Sequence, residues 1–289
     1  MKLPAIHMET AIELAKASLR SGNYGFGTVI IKDDSIIAQA YDTEGTEADC
    51  TAHAEMNAIR EASKKLGKTL EGCTLISTHE PCPMCASAIV WSGIKRVVFG
   101  YSIADAVRQG RNRIKIPCQE IFDRSGAGIE IQTGILQDEC AVLYNESVRT
   151  EIKRLRNYTR ETLAEWNRES AEKRLEWFQT ERPLDGISAT DEKERAYRLL
   201  LKRFRIPAEQ APIVHRDEAK LVFHSMNFCP TLEACRILEL DTREICRRYN
   251  EGSTDTLVKQ VDPGLAFKRN YDLLRPYSGY CEEMILWGT

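Results

Sequence analysis

The sequence predicts an α/β layered sheet in its first half and a mainly helical second half. Three observations predict this division. Short β-rich runs alternate with helical segments up to about residue 157. The pattern then changes to a long charged helix, and a break rich in proline, glycine and serine follows at 181–191. We therefore expect a first domain at 1–157, a helical linker at 158–191 and a mainly helical C-terminal domain at 192–289.

Each element of the first domain follows from a local pattern. In chain order we predict helix 7–20, strands 27–32 and 36–41, helix 52–67, strand 73–77, a helix beginning at Pro83, strands 95–101 and 128–135, and helix 139–156. Asp33-Asp34-Ser35 lies between the first two strands and predicts a hairpin. Gly67 closes the second helix, and Pro83 suits the first position of a helix.

Composition and charge are those of an ordinary globular protein. The chain has 289 residues, of which 43% are hydrophobic and 29% are charged. No run approaches the roughly 18 apolar residues of a membrane helix, so we expect a cytoplasmic protein without a membrane partner. The formal net charge of −3 disfavours a nucleic-acid partner without excluding it, because phosphate binding usually shows as positive charge excess.

Two cysteines lie three residues apart in EPCPMC, at the start of a predicted helix. Alone, Cys82 and Cys85 fit a redox pair, a structural zinc site or half of a catalytic metal site. A redox pair leaves the upstream His-Ala-Glu unexplained. A structural zinc needs four closed ligands, and His79 would make a cramped fourth one.

His53 and Glu55 complete a different arrangement. His-x-Glu followed by Pro-Cys-x-x-Cys is the signature of zinc deaminases. His53, Cys82 and Cys85 supply three ligands and leave a fourth position for water, which is typical of a catalytic zinc site. Glu55, two residues after the histidine, is then placed to take and return protons.

Three segments carry a family resemblance: HAEMNAIREA, EPCPMCASAI and RVVFGY. They resemble the cytidine-deaminase-like superfamily, nearest the branch that holds guanine deaminases, fungal-type cytosine deaminase and tRNA adenosine deaminases. The resemblance covers about residues 25–150. It implies a three-layer α/β/α sandwich around a five-stranded mixed sheet, with one Zn²⁺ per subunit and usually a homodimer. It also implies that His53, Cys82 and Cys85 hold the zinc and that Glu55 is the proton shuttle.

The resemblance implies a zinc-dependent aminohydrolase that removes an amino group from a heterocyclic ring and releases ammonia. We expect the substrate to be a small molecule, a guanine- or cytosine-like base or nucleoside. Two alternatives stay open: a tRNA adenosine deaminase, and a non-catalytic binding protein built on a deaminase fold. The presence of Glu55 argues against the second of these, since a protein that has lost catalytic activity needs no proton carrier.

Five further residues are candidates for the substrate pocket. Asp42 stands where relatives often have a substrate-holding asparagine, and an ionised aspartate only accepts hydrogen bonds; alternatively, it starts a turn. Phe26 would stack on the ring or lie in the core. Ala54 lies between the predicted ligand and the predicted acid. His79 would line the pocket or pack in the interior, and Asp105 would close the pocket or cap a helix.

A basic segment follows the predicted strand 95–101. It contains Arg108, Arg111, Arg113 and Lys115, and Arg124 comes shortly after. These side chains would contact phosphate on a nucleotide or RNA, or would form a solvated charged loop.

The last hundred residues resemble no family that we can identify. Their cysteines and histidines fit no zinc or iron–sulfur spacing, so we expect buried thiols: Cys229, Cys235, Cys246 and Cys281, with His215 and His224 nearby. Three roles are open for this half: a substrate lid, an oligomerisation module or an RNA-binding attachment.

Overall fold

The computed structural model describes residues 3–288, which form two compact units that divide after residue 153. Each unit has its own sheet and its own buried core. Within the described range, no helix combines the length and apolar character needed to cross a membrane.

The first unit contains a five-stranded sheet with helices on both faces. Its elements are α1 (Leu3–Ser21), β1 (Gly27–Lys32), β2 (Ser35–Tyr41), α2 (Glu44–Glu47), α3 (Ala54–Leu66), β3 (Thr74–His79), α4 (Pro83–Ser92), β4 (Arg96–Tyr101), α5 (Ile103–Arg108), α6 (Cys118–Ser125), β5 (Glu130–Thr133), α7 (Gln137–Tyr144) and all but the last two residues of α8 (Glu146–Leu155). The strand order is β2-β1-β3-β4-β5. Strands β3, β4 and β5 run parallel, and β1 is antiparallel to both of its neighbours.

Two helical layers enclose this sheet. Helices α3, α4 and α6 share one core with Ile30, Leu75 and Val97, while α1 and α7 pack on the other face. Because side chains alternate across a strand, the neighbouring Val29 and Ile76 are buried outside that core. The predicted three-layer α/β/α sandwich with a five-stranded mixed sheet is confirmed.

The hairpin between β1 and β2 turns through Asp33 and Asp34. Their φ angles are 49° and 60°, and Lys32 pairs with Ser35 directly across the turn. A two-residue hairpin turn of this kind needs positive φ at both positions, which aspartate tolerates better than most residues. The predicted hairpin is therefore confirmed.

Gly27 lets helix α1 approach the sheet closely. A Cβ atom at this position would lie 2.0 Å from the carbonyl oxygen of Ala11 and 2.7 Å from the backbone nitrogen of Ala15. We expect Gly27→Ala to reduce the free energy of unfolding by about 3 kcal/mol, the upper end of typical overpacking costs, because both neighbouring atoms belong to backbone. Urea unfolding measures the effect. Gly279→Ala is the control, since its Cβ meets nothing within 4 Å; equal midpoints for the two variants would contradict the prediction.

The single helix predicted over 139–156 is instead two helices, α7 and α8, which meet at Asn145. Asn145 has extended backbone, with φ −65° and ψ 125°. Its Oδ1 accepts hydrogen bonds from the backbone N–H groups of Ser147 and Val148, at 3.0 and 3.2 Å. Asn145 therefore caps the start of α8. Apolar spacing continues across the cap, so periodicity does not reveal the break.

The second unit combines helices with a four-stranded antiparallel sheet of order β6-β7-β9-β8. Its elements are α9 (Arg160–Glu181), α10 (Glu192–Phe204), a 3₁₀ turn (Ala208–Gln210), β6 (Ile213–Arg216), β7 (Lys220–Ser225), α11 (Pro230–Leu238), α12 (Thr242–Ile245), a π-helical turn (Cys246–Glu251), α13 (Gly252–Val258), β8 (Leu265–Arg269) and β9 (Cys281–Trp287). Helix α9, which lies in the predicted linker, packs against α13 inside this unit.

Helices outnumber strands in the C-terminal region, as predicted. The four-stranded sheet of this region was not predicted. Charged residues interrupt the apolar alternation where β8 ends and β9 begins. Arg269 and Glu283 pair directly across these strands, with Arg269 Nε 2.7 Å from Glu283 Oε1. Each charge neutralises the other in a largely buried place, so strands form where the pattern favours none.

Candidate metal centre and active site

His53 and Glu55 flank the first residue of helix α3. His53 is the N-cap residue and has extended backbone, with φ −67° and ψ 154°, so its ring leaves the helix end. Glu55 lies in the first turn and is 4% exposed. Both side chains line the same cavity, so a spacing of two residues places a possible ligand beside a possible acid.

Cys82 and Cys85 lie at the start of helix α4. Cys82 is the N-cap residue, and Pro83 is the first helical residue, as predicted. Cys85 is buried in the first turn. The free N–H groups of a helix N-terminus carry partial positive charge, which favours the thiolate form that binds metals.

Three potential ligand atoms converge. The Sγ atoms of Cys82 and Cys85 are 3.6 Å apart, and His53 Nδ1 lies 3.6 Å from the first and 3.5 Å from the second. With Zn–S bonds of about 2.3 Å and Zn–N of about 2.0–2.1 Å, a tetrahedral zinc ion would separate the sulfurs by about 3.8 Å and nitrogen from sulfur by about 3.6 Å. The donor set therefore fits zinc. His79 is not part of the cluster, so within residues 3–288 no second histidine closes it.

Hydrogen bonds within the cluster shift the pKa values of Cys82 and His53 in opposite directions. The hydrogen bond between the two sulfur atoms lowers the pKa of Cys82 to about 4, with a further contribution from His53. The hydrogen bond with Cys82 raises the pKa of His53 to about 9. One thiolate is therefore present at neutral pH before any metal binds, and metal binding must displace the remaining protons.

Glu55 lies directly beside this cluster. Its Oε1 accepts a hydrogen bond from the Ser77 hydroxyl at 3.1 Å, and its Oε2 is 3.6 Å from Cys85 Sγ. Burial raises the pKa of the carboxyl group, and the negative charge of Cys82 adds to this. A raised pKa brings a carboxyl group closer to neutral pH, where it exchanges protons readily.

A cavity of about 440 Å³ lies over the cluster, within the range of small-molecule pockets. Phe26 and His79 both line it, edge to face, with ring centroids 5.5 Å apart. The structure therefore brings both predicted aromatic pocket residues to the site. Tyr101 and Tyr144 support them from behind, since both rings contact His79 and both are buried.

His79 presents an unused hydrogen-bond acceptor. Burial lowers its pKa to about 4, so the ring is neutral near pH 7. Its Nδ1 is 2.9 Å from the carbonyl oxygen of Glu80, so Nδ1–H is the donor and Nε2 is left as an acceptor. Nε2 is buried without a hydrogen-bond partner in the described part of the chain.

Arg113 and Asn112 also line the cavity, and neither residue was predicted to belong to a base pocket. The Arg113 guanidinium lies 5.3 Å from the centroid of the Phe26 ring. Its Nε is buried, and among residues 3–288 it has no hydrogen-bond partner. Arg113 therefore turns inward, whereas the sequence predicted either a phosphate contact or a solvated charged loop. The sole signal for this placement was its position in the segment that follows β4.

Asp42 lies behind the metal cluster and is not among the residues that line the cavity. It is fully buried, and its Oδ1 accepts from the backbone N–H groups of Tyr24 and Glu44, at 3.5 and 3.3 Å. Asp42 and Glu44 both approach the His53 ring, and Glu44 Oε2 is 3.8 Å from His53 Nε2. Both carboxylates are therefore placed to orient a metal-binding imidazole, and Glu44 also lines the cavity. A substrate contact by Asp42 stays a prediction.

Ala54 and Asp105 also lie outside the cavity lining. Ala54 is the first residue of α3 and is fully buried. Asp105 lies in the first turn of α5, where it bonds to the Ser102 hydroxyl and to Arg108. The Ser102 hydroxyl caps that helix, so the Asp105 carboxylate is held at the N-terminus of α5. A role of Asp105 in closing the substrate pocket stays a prediction.

Most of the predicted basic segment is neutralised locally. Three ion pairs account for it: Arg108 with Asp105, Arg111 with Glu146, and Arg124 with Glu120. Arg113 faces the cavity, and Lys115 is exposed. Little positive charge is therefore left for an extended phosphate backbone.

An α/β/α sandwich that places a His/Cys/Cys cluster beside a buried glutamate is the arrangement of the zinc deaminase class. Residues 1–101 match the cytidine and deoxycytidylate deaminase zinc-binding region. The chain belongs to this deaminase family, and its first unit carries the family's zinc-binding domain. The predicted resemblance is confirmed.

Similar proteins in this family have different substrates. The tRNA-specific adenosine deaminase of Bacillus subtilis is 36% identical over 161 residues, 55% of this chain and 97% of that protein. The guanine deaminase of Bacillus subtilis is 43% identical over 105 residues, 36% of this chain and 67% of that protein. A probable cytosine deaminase of Schizosaccharomyces pombe is 28% identical over 141 residues, 47% of this chain and 86% of that protein. Similarity alone therefore leaves the substrate open.

Proposed function

We propose that this chain is a zinc-dependent aminohydrolase that deaminates a small guanine- or cytosine-like base or nucleoside and releases ammonia. The observation that carries the proposal is Glu55, a buried carboxylate 3.6 Å from Cys85 Sγ that faces a cavity of about 440 Å³. A purely structural metal site has no use for such a group. The expected homodimer and cytoplasmic location stay predictions.

His53, Cys82 and Cys85 would hold the zinc ion, whose Lewis acidity makes water nucleophilic near neutral pH. In the overall reaction, water adds to a ring carbon and the amino group on that carbon leaves. Glu55 accepts a proton from the attacking water and passes it to the adjacent ring nitrogen. It then transfers a proton from the new hydroxyl group to the amino group, which departs as ammonia. The carboxylate is ionised again at the end, and the ring keeps a carbonyl group.

The cavity walls favour a particular kind of ring. Phe26, His79 and Arg113 line the cavity; Phe26 would offer an aromatic surface, His79 Nε2 an acceptor and Arg113 Nε a donor. A suitable ring is flat, carries an N–H for His79, and carries a carbonyl oxygen or bare ring nitrogen for Arg113. Guanine, guanosine and free cytosine have both features, whereas cytidine lacks the ring N–H. Adenosine has no ring N–H, so its base would leave His79 Nε2 unpaired, which is unfavourable in a buried site.

A tRNA adenosine deaminase is the second candidate, because the tRNA-specific relative matches over 97% of its own length. The charge distribution weighs against it. Three basic residues after β4 are already paired with carboxylates, and the net charge is −3. Binding to a nucleic acid backbone depends on free cations.

Ammonia release from a substrate panel tests the proposal. The zinc-loaded chain is assayed with guanine, cytosine, isocytosine, adenine, their nucleosides and tRNA. We expect turnover of at least one ring that carries both an N–H and a carbonyl group. Turnover of tRNA alone would replace the proposal with the second candidate. No ammonia release from any member of the panel, with one zinc ion bound per chain, would favour the non-catalytic binding protein.

His79→Phe tests the contact assigned to the free imidazole nitrogen. Phenylalanine keeps an aromatic ring against Phe26 but has no acceptor. We expect kcat/KM to fall roughly 10- to 100-fold, as befits the loss of one buried hydrogen bond, with zinc content unchanged. Steady-state kinetics on the best substrate of the panel measures the effect. Tyr24→Phe, elsewhere on the same cavity wall, is the control; equal losses in both variants would contradict this role.

A further inference from the structure

The second unit contains a cavity of about 290 Å³ that plays no part in the proposed deamination. Phe223 of β7 and Phe267 of β8 form an apolar floor on one face of the four-stranded sheet. Phe204, at the end of α10, and Phe228 form further walls. This volume is at the lower end of small-molecule pockets, so the cavity suits a compact ligand.

Arg174 is buried in the cavity wall without a counter-ion. It lies on α9 and is 8% exposed. Its Nη1 donates to the Thr254 hydroxyl at 2.9 Å, and its guanidinium lies 5.0 Å from the centroid of the Phe204 ring. Within residues 3–288, no carboxylate pairs with it. Burial, together with the nearby cations Arg269 and Arg203, lowers the pKa of Arg174 to about 10.

Arg269 of β8 contributes a second, partly unsatisfied guanidinium. Its Nε donates to Glu283 Oε1 at 2.7 Å, and the Ser225 hydroxyl donates to Glu283 Oε2 at 2.6 Å. Both carboxylate oxygens are therefore engaged and do not reach Arg174. Arg269 Nη1 is buried and has no partner in the described part of the chain.

The cavity lining carries a positive charge excess. Arg275 is the third guanidinium; its Nη1 donates to the Asn227 carbonyl oxygen at 2.9 Å, and its Nε to Cys281 Sγ at 3.4 Å. Three arginines and one glutamate line the cavity, which gives 3 − 1 = +2. Burial raises the pKa of the wall thiols Cys229 and Cys246, so they are neutral and do not offset this charge.

A buried cation without a counter-ion is strongly unfavourable unless a ligand supplies the opposite charge. We propose that this cavity binds a small phosphomonoester. Its phosphate would meet Arg174, the free Nη1 of Arg269 and Arg275, and its organic part would pack against the phenylalanine walls. A phosphomonoester carries a charge of about −1.5 to −2 at pH 7, which matches the excess, and guanidinium groups form paired hydrogen bonds with phosphate oxygens.

Isothermal titration calorimetry on the full chain tests this site with three probes: inorganic phosphate, phenyl phosphate and benzoate. Ionic strength is matched with chloride. We expect phenyl phosphate to bind more tightly than inorganic phosphate, because its ring adds contacts with the apolar walls, and more tightly than benzoate, because a monoanion leaves charge unmatched. Tighter binding of benzoate would overturn the phosphate assignment. The absence of heat with all three probes would overturn the site.

Arg174→Met separates ligand binding from folding. Methionine fills similar apolar space without the charge, so the melting temperature of the ligand-free protein should be equal or higher. The dissociation constant for phenyl phosphate should rise about tenfold or more. Lys173→Met removes the same charge from the adjacent, exposed position of α9 and should leave binding within about twofold.

Arg275→Gln is a second variant for the same site. This arginine is partly exposed at the rim, so its replacement does not threaten folding, and binding should again weaken several-fold. Unchanged affinity in both Arg174→Met and Arg275→Gln would overturn the proposal. Deaminase activity is measured in parallel but decides nothing here, since all residues of this cavity belong to the second unit.

Discussion

Glu55→Gln is expected to abolish ammonia release and to leave the metal site intact. Glutamine keeps the shape of the side chain and can still bond to Ser77, but it neither accepts nor returns a proton. Loss of general acid–base catalysis of this kind lowers kcat by roughly 10²- to 10⁴-fold. Zinc content should stay at one ion per chain, because Glu55 is not among the three clustered ligands. Coupled ammonia assay and elemental analysis measure the two quantities.

The matched control is Glu61→Gln on the same helix. Glu61 pairs with Lys65 at 2.6 Å near the surface of α3, so the same chemical change there should leave kcat within about twofold of wild type. Activity that survives in Glu55→Gln would contradict the role of this carboxylate. A parallel loss of zinc in that variant would indicate that Glu55 supports the metal site instead of moving protons.

The ligand cluster was predictable from sequence because both of its halves lie at helix N-termini. Pro83 at the first position of α4 marks one such boundary, while Gly67 marks the opposite, C-terminal end of α3. His53 and Cys82 are the N-cap residues themselves. Their extended backbone carries each side chain off the end of its helix, so two short motifs suffice to place the donors at one point.

The cavity walls were less predictable because they depend on loops and on side-chain direction. Arg113 belongs to a segment between α5 and α6 without regular structure, whose course no periodicity determines. Asp42 follows directly after β2, and successive side chains of a strand point to opposite faces. The direction of the backbone after β2 therefore decides whether the Asp42 carboxylate faces the cavity or the His53 ring. Motif spacing does not contain that information.

The free hydrogen-bond acceptor on His79 was likewise not predictable from the sequence. The sequence shows a histidine before Glu80-Pro81, but the tautomer of its ring is set by the 2.9 Å contact between Nδ1 and the Glu80 carbonyl oxygen. Only the folded chain shows that Nε2 is buried without a partner among residues 3–288. The substrate preference therefore depends on tertiary structure, whereas the reaction class depends on local motifs.

Cys85→Ser is expected to remove zinc, activity and part of the stability together. A serine hydroxyl is a poor zinc ligand beside an imidazole and a thiolate. Zinc content should fall from one ion per chain to near zero at stoichiometric metal. The metal links the start of α3 to the start of α4, so its loss also removes binding energy from the folded state: about 2.7 kcal/mol where free zinc is 100 times its dissociation constant. Elemental analysis and urea unfolding measure the two effects.

Cys50→Ser is the matched control, because Cys50 is an exposed thiol outside the cluster. It should retain zinc, activity and stability. A strong chelator added to the wild-type chain should reproduce the Cys85→Ser phenotype, and zinc should reverse the chelator but not the substitution. Full zinc content in Cys85→Ser would contradict the ligand assignment. Read together with Glu55→Gln, the two variants distinguish the roles, because an enzyme of this class must lose activity alone in one variant and metal together with activity in the other.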